Sequence, residues 1–423
     1  MRLSILSQIR PTRLFTSALA AVSLAVLPVS APAFAQSASQ AGLVSGGTLQ
    51  PAIDAWQSGD YRRARIIAEP LADAGDPDAQ YLVGMMYHEG LGGPVDRPGA
   101  RVLYVKAAMA GHAYAQYTLG ELAYHGRGVE QDFQRAAGWY NKAAQSNHAL
   151  AMVRMCYMYA EGQGLPRDPD RAAELCERAA NTGERAGQYH LGLLYLTGTG
   201  KPLSYQNAAS WFEKAARQGD GDSQYNLALI LEGGLAGEAQ PEQAAYWMQE
   251  ASKNGVLPAF TSMGLLAYNG RGVPQSDRAA ADWFRQAAEA GDPEGQFLYA
   301  VALAEGTGTS RDLDLAYSWA QRAVAASQGE PEEIQAERIG LRDQLQEMIY
   351  TRQNSGASTQ ILARNDPPPQ RVATQSAQPL SPAQSTEPQQ NARLGTPDPE
   401  PEPEPEAEEE KEETSKPRRT LRD

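Results

Sequence analysis

Apolar positions recur three to four residues apart along residues 115–147, AQYTLGELAYHGRGVEQDFQRAAGWYNKAAQSN. Leu119, Gly120 and Tyr124 make one stripe and Ala136, Trp139, Tyr140 and Ala143 another, which predicts two amphipathic helices. Gly126 and Gly128 lie between them, where the chain must reverse and glycine takes positive φ at no steric cost. The unit is an αα-hairpin.

The same pattern returns every 36 residues. Ala79, Ala115, Ala151, Gly187, Ser223, Ala259 and Gly295 mark seven equivalent starts, and the first turn glycine follows each at Gly90, Gly126, Gly162, Gly198, Gly234, Gly270 and Gly306. The second turn glycine is missing only at Ala236. Second helices align at Ala100, Ala136, Ala172, Ala208, Ala244, Ala280 and Ala316, and a Leu or Trp stands three residues after each. Small residues let paired helices approach, and the large residue is expected to fill the gap between hairpins. Because one hairpin cannot bury its own apolar face, the units are expected to stack with nearest-neighbour contacts.

The pattern A-x-Y-x-L-G-x-x-Y-x-x-G-x-G-V, followed by A-A-x-W-x-x-K-A-A-x-x-G, resembles the Sel-1-like repeat family of the tetratricopeptide superfamily, over residues 78–328. The 36-residue step and the Gly-x-Gly turn separate it from tetratricopeptide repeats of about 34 residues. The resemblance implies an all-α, right-handed α/α solenoid that holds other proteins together. It also implies kinship with members that repress membrane sensor kinases or support exopolysaccharide export.

Outside the repeats the composition changes. Arg2, Arg10 and Arg13 precede an apolar run from Leu14 to Leu27, and Ala33-Phe34-Ala35 is a small-x-small cleavage site, so 1–35 reads as a secretory signal peptide. Pro28 and Pro32 end that run short of the roughly 20 residues that a membrane span needs. Residues 36–48 form a flexible leader, and 49–77 a degenerate capping hairpin with Trp56, Gly59 and Tyr61 at its turn. Seven repeats occupy 78–329, and 330–352 reads as a capping helix with Ile334, Ile339, Leu341, Leu345 and Ile349 near one side. The Pro, Gln and Glu rich segment 353–423 is expected to be disordered, since it cannot bury enough surface to offset ordering entropy. Its acidic block 397–413 reads as a solubilising tail, with contact to a basic partner as the alternative.

Cleavage of the signal would take the formal charge from −14 to −17, which speaks against nucleic acid as a partner. A periplasmic or secreted protein is expected, with no stable membrane insertion once the signal is removed. Five histidines are present, and His112 and His148 occupy equivalent places on adjacent repeats, too far apart to share a metal at about 10 Å per hairpin. Some proteins resembling this family are linked to penicillin-binding or β-lactamase activity, but none of Ser-x-x-Lys, Ser-Asp-Asn and Lys-Thr-Gly occurs here, nor is there a Gly-x-Ser-x-Gly elbow. No catalytic residue, cofactor or metal ligand is assigned.

The expected function is a non-catalytic scaffold or adaptor that holds a cell-envelope protein in the groove lined by the first helices. His88, Tyr124, His125, Arg154, Tyr157, His190, Leu193 and Tyr268 are the candidate groove residues. Tyr81, Tyr117, Tyr189 and Tyr225 are expected to pack between hairpins instead. The alternative is a protein that binds or processes cell-wall glycan. Cys156 and Cys176 face each other in the third hairpin, either as a disulfide or as two buried thiols.

Overall fold

In the computed structural model, residues 47–364 are described. The expected signal peptide, the leader up to 46 and the tail from 365 lie outside them. After a turn at Gly47–Leu49 come α1 (Gln50–Gln57) and α2 (Tyr61–Asp73). The seven repeats follow as pairs. They are α3 (Pro77–Glu89) with α4 (Arg97–Met109), α5 (Ala113–His125) with α6 (Phe133–Gln145), and α7 (Ala149–Glu161) with α8 (Pro169–Asn181). Next are α9 (Arg185–Thr197) with α10 (Tyr205–Ala216), α11 (Gly221–Gly233) with α12 (Pro241–Lys253), α13 (Leu257–Asn269) with α14 (Asp277–Glu289), and α15 (Pro293–Glu305) with α16 (Leu313–Ala326). A long α17 (Glu332–Arg364) ends the described chain. No strand occurs among the described residues.

Each helix packs on the next in sequence, as a solenoid requires. The first helix of every repeat ends at a left-handed glycine, Gly162 at φ 72° for example, whose amide donates to Met158 O. A β-carbon at that φ would be strained, so the sequence keeps glycine at all seven sites.

Inside four of the hairpins a glycine on the first helix receives an aromatic ring from the second. Gly84 faces Tyr104, Gly120 faces Tyr140, Gly192 faces Phe212 and Gly264 faces Phe284, and a β-carbon at any of these glycines would come within 2.8 Å of the ring. The aromatic residue is fully buried. The Leu or Trp just before it in sequence is less deeply buried and lies between hairpins, the place expected of it. Trp139, Trp211, Trp283 and Trp319 are half-buried, and Lys142, Lys214 and Arg322 lie 4.4, 3.5 and 4.5 Å over the rings of Trp139, Trp211 and Trp319. The indole bridges hairpins while its outer face meets a cation.

In the third hairpin the small–large pair is replaced. Cys156 and Cys176 take the two places and form a disulfide, with Cα atoms 5.5 Å apart.

The ends are closed. Ile53 and Trp56 of α1 are buried in one core with α2 and the first repeat, and Leu341 and Leu345 of α17 cover the last. α17 differs from the expected 330–352 helix: it begins at Glu332 and runs to Arg364, so 353–364 are helical rather than part of a structureless tail. Ile339 is exposed, and the neighbouring Arg338 takes the buried place, pairing with Glu294 at 3.2 Å and with Glu330.

Candidate functional site

The residues that break the repeat rule converge where the second and third repeats meet. At the place of Glu121 the other first helices carry Met85, Tyr157, Leu193, Leu229, Leu265 and Val301, and at the place of Arg154 they carry Leu82, Thr118, His190, Asn226, Ser262 and Leu298. A single helix period therefore puts an acid on α5 and a base on α7 facing each other. Arg154 Nε donates to Glu121 Oε1 at 2.7 Å and Arg154 Nη2 to Glu121 Oε2 at 2.9 Å. The Tyr140 hydroxyl donates to Glu121 Oε1 at 2.7 Å, and His125 Nε2 lies 3.4 Å from Oε2. Planar guanidinium and carboxylate match as a two-pronged pair, and the added donors satisfy the remaining lone pairs.

Burial sets the electrostatics. Burial alone would lower the Arg154 guanidinium, but Glu121 beside it more than reverses this and holds it above its ordinary value. Burial pushes the Tyr140 phenol up, and the Glu121 charge adds to that. His125 is lowered first by burial, against the opposing pull of Glu121. The arrangement is a neutralised, hydrogen-bonded joint between repeats. It presents no nucleophile held by a base.

This placement corrects three expected groove residues. Arg154 is 2 % exposed, His190 5 % and Leu193 0 %. None can meet a partner directly: Arg154 is consumed by Glu121, Leu193 packs with Leu196 and Phe212, and His190 lies in the core beside Tyr189, its ring lowered to about 4 by burial and then by Arg154. His88, Tyr124, His125, Tyr157 and Tyr268 are half-buried and keep a solvent-facing part. Three of them sit together. The Tyr124 hydroxyl donates to Gln163 at 2.7 Å, its ring is 4.9 Å from His125, Arg154 lies 5.4 Å over it, and Tyr157 is near enough to raise its phenol further, after burial. His88 and Tyr268 belong to other repeats and stand apart from this cluster.

Glu121 and Tyr140 are the site residues that sequence reasoning missed as partners of Arg154. The signal was present in the repeat alignment, where Glu121 is the one acid at an otherwise apolar or aromatic position. Tyr81, Tyr117 and Tyr189 pack tilted against Tyr104, Tyr140 and Phe212 of their own hairpins. Tyr81 also packs tilted against His112 of the next repeat at 4.6 Å, and Tyr117 stacks on His148 at 4.7 Å.

His112 and His148 have a local role. Each precedes a first helix with extended backbone, and its Nδ1 accepts the amide of Ala115 at 3.1 Å or Ala151 at 3.2 Å. Asp76, Asp220 and Asp292 do the same in other repeats. No group of three or more His, Cys, Asp or Glu among the described residues could hold a metal, and no described helix is long and apolar enough to cross a membrane.

The family model described as Sel1 repeat matches seven times, at residues 77–112, 113–148, 149–183, 185–220, 221–256, 261–292 and 293–327. Among solved structures, the chain is similar to a Sel1 repeat protein from Oxalobacter formigenes, with 28% identity and a TM-score of 0.52 over 57% of this chain and 97% of that one. It is also similar to a protective antigen of uropathogenic Escherichia coli displaying an SLR fold, with 24% identity and a TM-score of 0.44 over 75% of this chain and 85% of that one. A third is a putative Sel1 repeat protein from Klebsiella pneumoniae, with 22% identity and a TM-score of 0.33 over 46% and 95%. Among curated proteins none matches.

Proposed function

The chain belongs to the Sel1 repeat family, whose members generally serve as protein-interaction scaffolds, and from that premise we propose that it holds a cell-envelope protein against the first helices of its second and third repeats. The observation that carries this reading is the Glu121–Arg154 joint, which fixes α5 against α7 and so presents Tyr124, His125 and Tyr157 on a rigid surface. Tyrosine suits recognition because it adds apolar area with a polar tip and few rotatable bonds to immobilise. The surface offers binding and no bond-making chemistry, consistent with the family's typically non-catalytic part.

The proposed compartment is the periplasm or the exterior. Two features support it: the basic, apolar and small-x-small order of residues 1–35, and the Cys156–Cys176 bridge, which persists where thiols are oxidised. Regulation of a sensor kinase or of exopolysaccharide export would fit a non-catalytic adaptor in that place.

The test is in vivo crosslinking and capture with the native chain and with a Tyr124→Ser/Tyr157→Ser variant, which leaves Glu121 and Arg154 intact. An envelope protein captured by the native chain and lost with the variant is the expected result. Equal capture by both, or recovery of peptidoglycan fragments in place of a protein, would overturn it.

A further inference from the structure

Second helices carry the outward side chains of the solenoid, and their charge is unevenly spread. α4 has Arg97, Arg101 and Lys106 with no acid, and α6 has Arg135 and Lys142 with no acid. α2 adds Arg62, Arg63 and Arg65 against Glu69 and Asp73. Further along the balance turns. α8, α12 and α14 each carry one more acid than base, and α10 and α16 are neutral. An acidic chain thus has a basic outer face at one end of its solenoid.

The same end exposes apolar side chains. Ile66 is 64 % exposed, Val102 53 % and Met109 80 %. Ile66 and Val102 stand at one register position on adjacent second helices, and the later residues there are Gly138, Glu174, Ser210, Tyr246, Asp282 and Ser318. Single exposed apolar residues are ordinary. Three on two neighbouring helices are less so, set among exposed Arg62, Arg63 and Lys106, with exposed Asp73 at the register place of Met109; none of the three bases has an ion-pair partner among the described residues.

We propose that the outer faces of α2 and α4 dock onto an anionic phospholipid bilayer. The three apolar side chains would enter the headgroup boundary while the arginines and the lysine meet lipid phosphates, the combination by which surface helices bind membranes without spanning them. Lys and Arg suit this place because their stems bury in the apolar boundary while their heads reach the charged layer. Docking through second helices leaves the first-helix surface open, so this inference goes beyond the scaffold reading and stands without it.

The test is cosedimentation of the full chain with vesicles of phosphatidylglycerol and phosphatidylcholine in equal parts, and with phosphatidylcholine alone. Partition to the anionic vesicles is expected to be roughly tenfold or more the greater, and to fall with added salt. Arg62→Glu/Arg63→Glu/Lys106→Glu should reduce it to the neutral-vesicle level, and Ile66→Ser/Met109→Ser should weaken it. Arg278→Glu on α14 should leave it unchanged. All substituted residues but Arg278 lie on the exposed patch, and circular dichroism of each variant checks the fold. Equal partition to both vesicle types, or binding that survives the triple variant, would overturn the proposal. So would a dimer in sedimentation velocity that dissolves with Ile66→Ser/Met109→Ser while no vesicle binding is seen.

Discussion

Arg154 and Glu121 meet through two parallel hydrogen bonds of 2.7 and 2.9 Å across the junction of the second and third repeats. The arginine is almost wholly enclosed, while the carboxylate keeps a small exposed edge. Removing one partner strands the other charge in a site built for a pair, which costs about 3–5 kcal/mol for a buried pair. Arg154→Ala is therefore expected to lower stability by about 3 kcal/mol, read as a drop in the urea midpoint. The double variant Glu121→Leu/Arg154→Leu installs residues that other repeats carry at these positions, at Leu193 and Leu82. It should recover most of the loss, because apolar replacement of a whole buried pair is often neutral or better. A double variant no more stable than Arg154→Ala would show that the joint is irreplaceable.

Why this pair was only half legible follows from what a repeat conceals. The helices, turns and stacking order are written seven times, so Gly90, Gly126 and their successors fixed every hairpin, and the apolar stripes fixed which faces meet. Departures from the rule mark something particular to this chain, and Arg154, His190 and Tyr157 stood out that way. Yet departure does not say whether a side chain points to solvent or to the next repeat. Arg154 and His190 lie one turn deeper than Tyr157 and are enclosed by their neighbours, whereas Tyr157 is left half-exposed. The direction depends on how closely successive first helices stack, a quantity that a 36-residue period does not carry. The spacing placed Trp139 between hairpins, where it stands, but did not mark Tyr140 as the ring that plugs the hairpin against Gly120.

The disulfide occupies the position of that plug. Cys156 stands where Gly84, Gly120, Gly192 and Gly264 stand, and Cys176 where Tyr104, Tyr140, Phe212 and Phe284 stand. With the two cysteines 20 positions apart in sequence, a bridge is worth about 3 kcal/mol by constraining the unfolded chain. Reduction should also leave two thiols with less volume than a ring. The native chain is expected to lose several °C of melting temperature with dithiothreitol, about 4 °C or less per kcal/mol for a chain of this size. Cys156→Gly/Cys176→Phe should regain much of it and no longer respond to reductant. Cys176→Phe alone should fare worst, since a β-carbon at the equivalent Gly192 would sit 2.6 Å from Phe212. Melts of the three chains with and without reductant decide the matter, and a double variant as weak as the single one would sink the substitution argument.

The histidine caps give the solenoid a pH dependence of their own. His112 and His148 accept a backbone amide at Nδ1 only while that nitrogen carries no proton, and burial lowers both to about 4. His190, buried beside Arg154, is also lowered to about 4. The unfolded chain protonates its histidines near 6.5. Between about 6.5 and about 4 it binds more protons than the folded chain, so stability falls as pH falls through that window and is complete above it. At about 1.4 kcal/mol per pK unit, each histidine contributes up to roughly 3 kcal/mol. The surroundings of the two caps differ. His112 Nε2 lies 3.3 Å from Asp78 Oδ1, which would receive a protonated ring. His148 faces Tyr114 and Tyr117 at 4.4 and 4.7 Å, with Glu121 and His112 as the charged or titratable groups further off, and no carboxylate stands as near its Nε2. His148→Asp supplies the cap used at Asp76, Asp220 and Asp292, and should flatten the urea midpoint between pH 6.5 and 4.5 more than His112→Asp does. If both variants keep the native slope, the caps do not carry the acid sensitivity and His190 becomes its source.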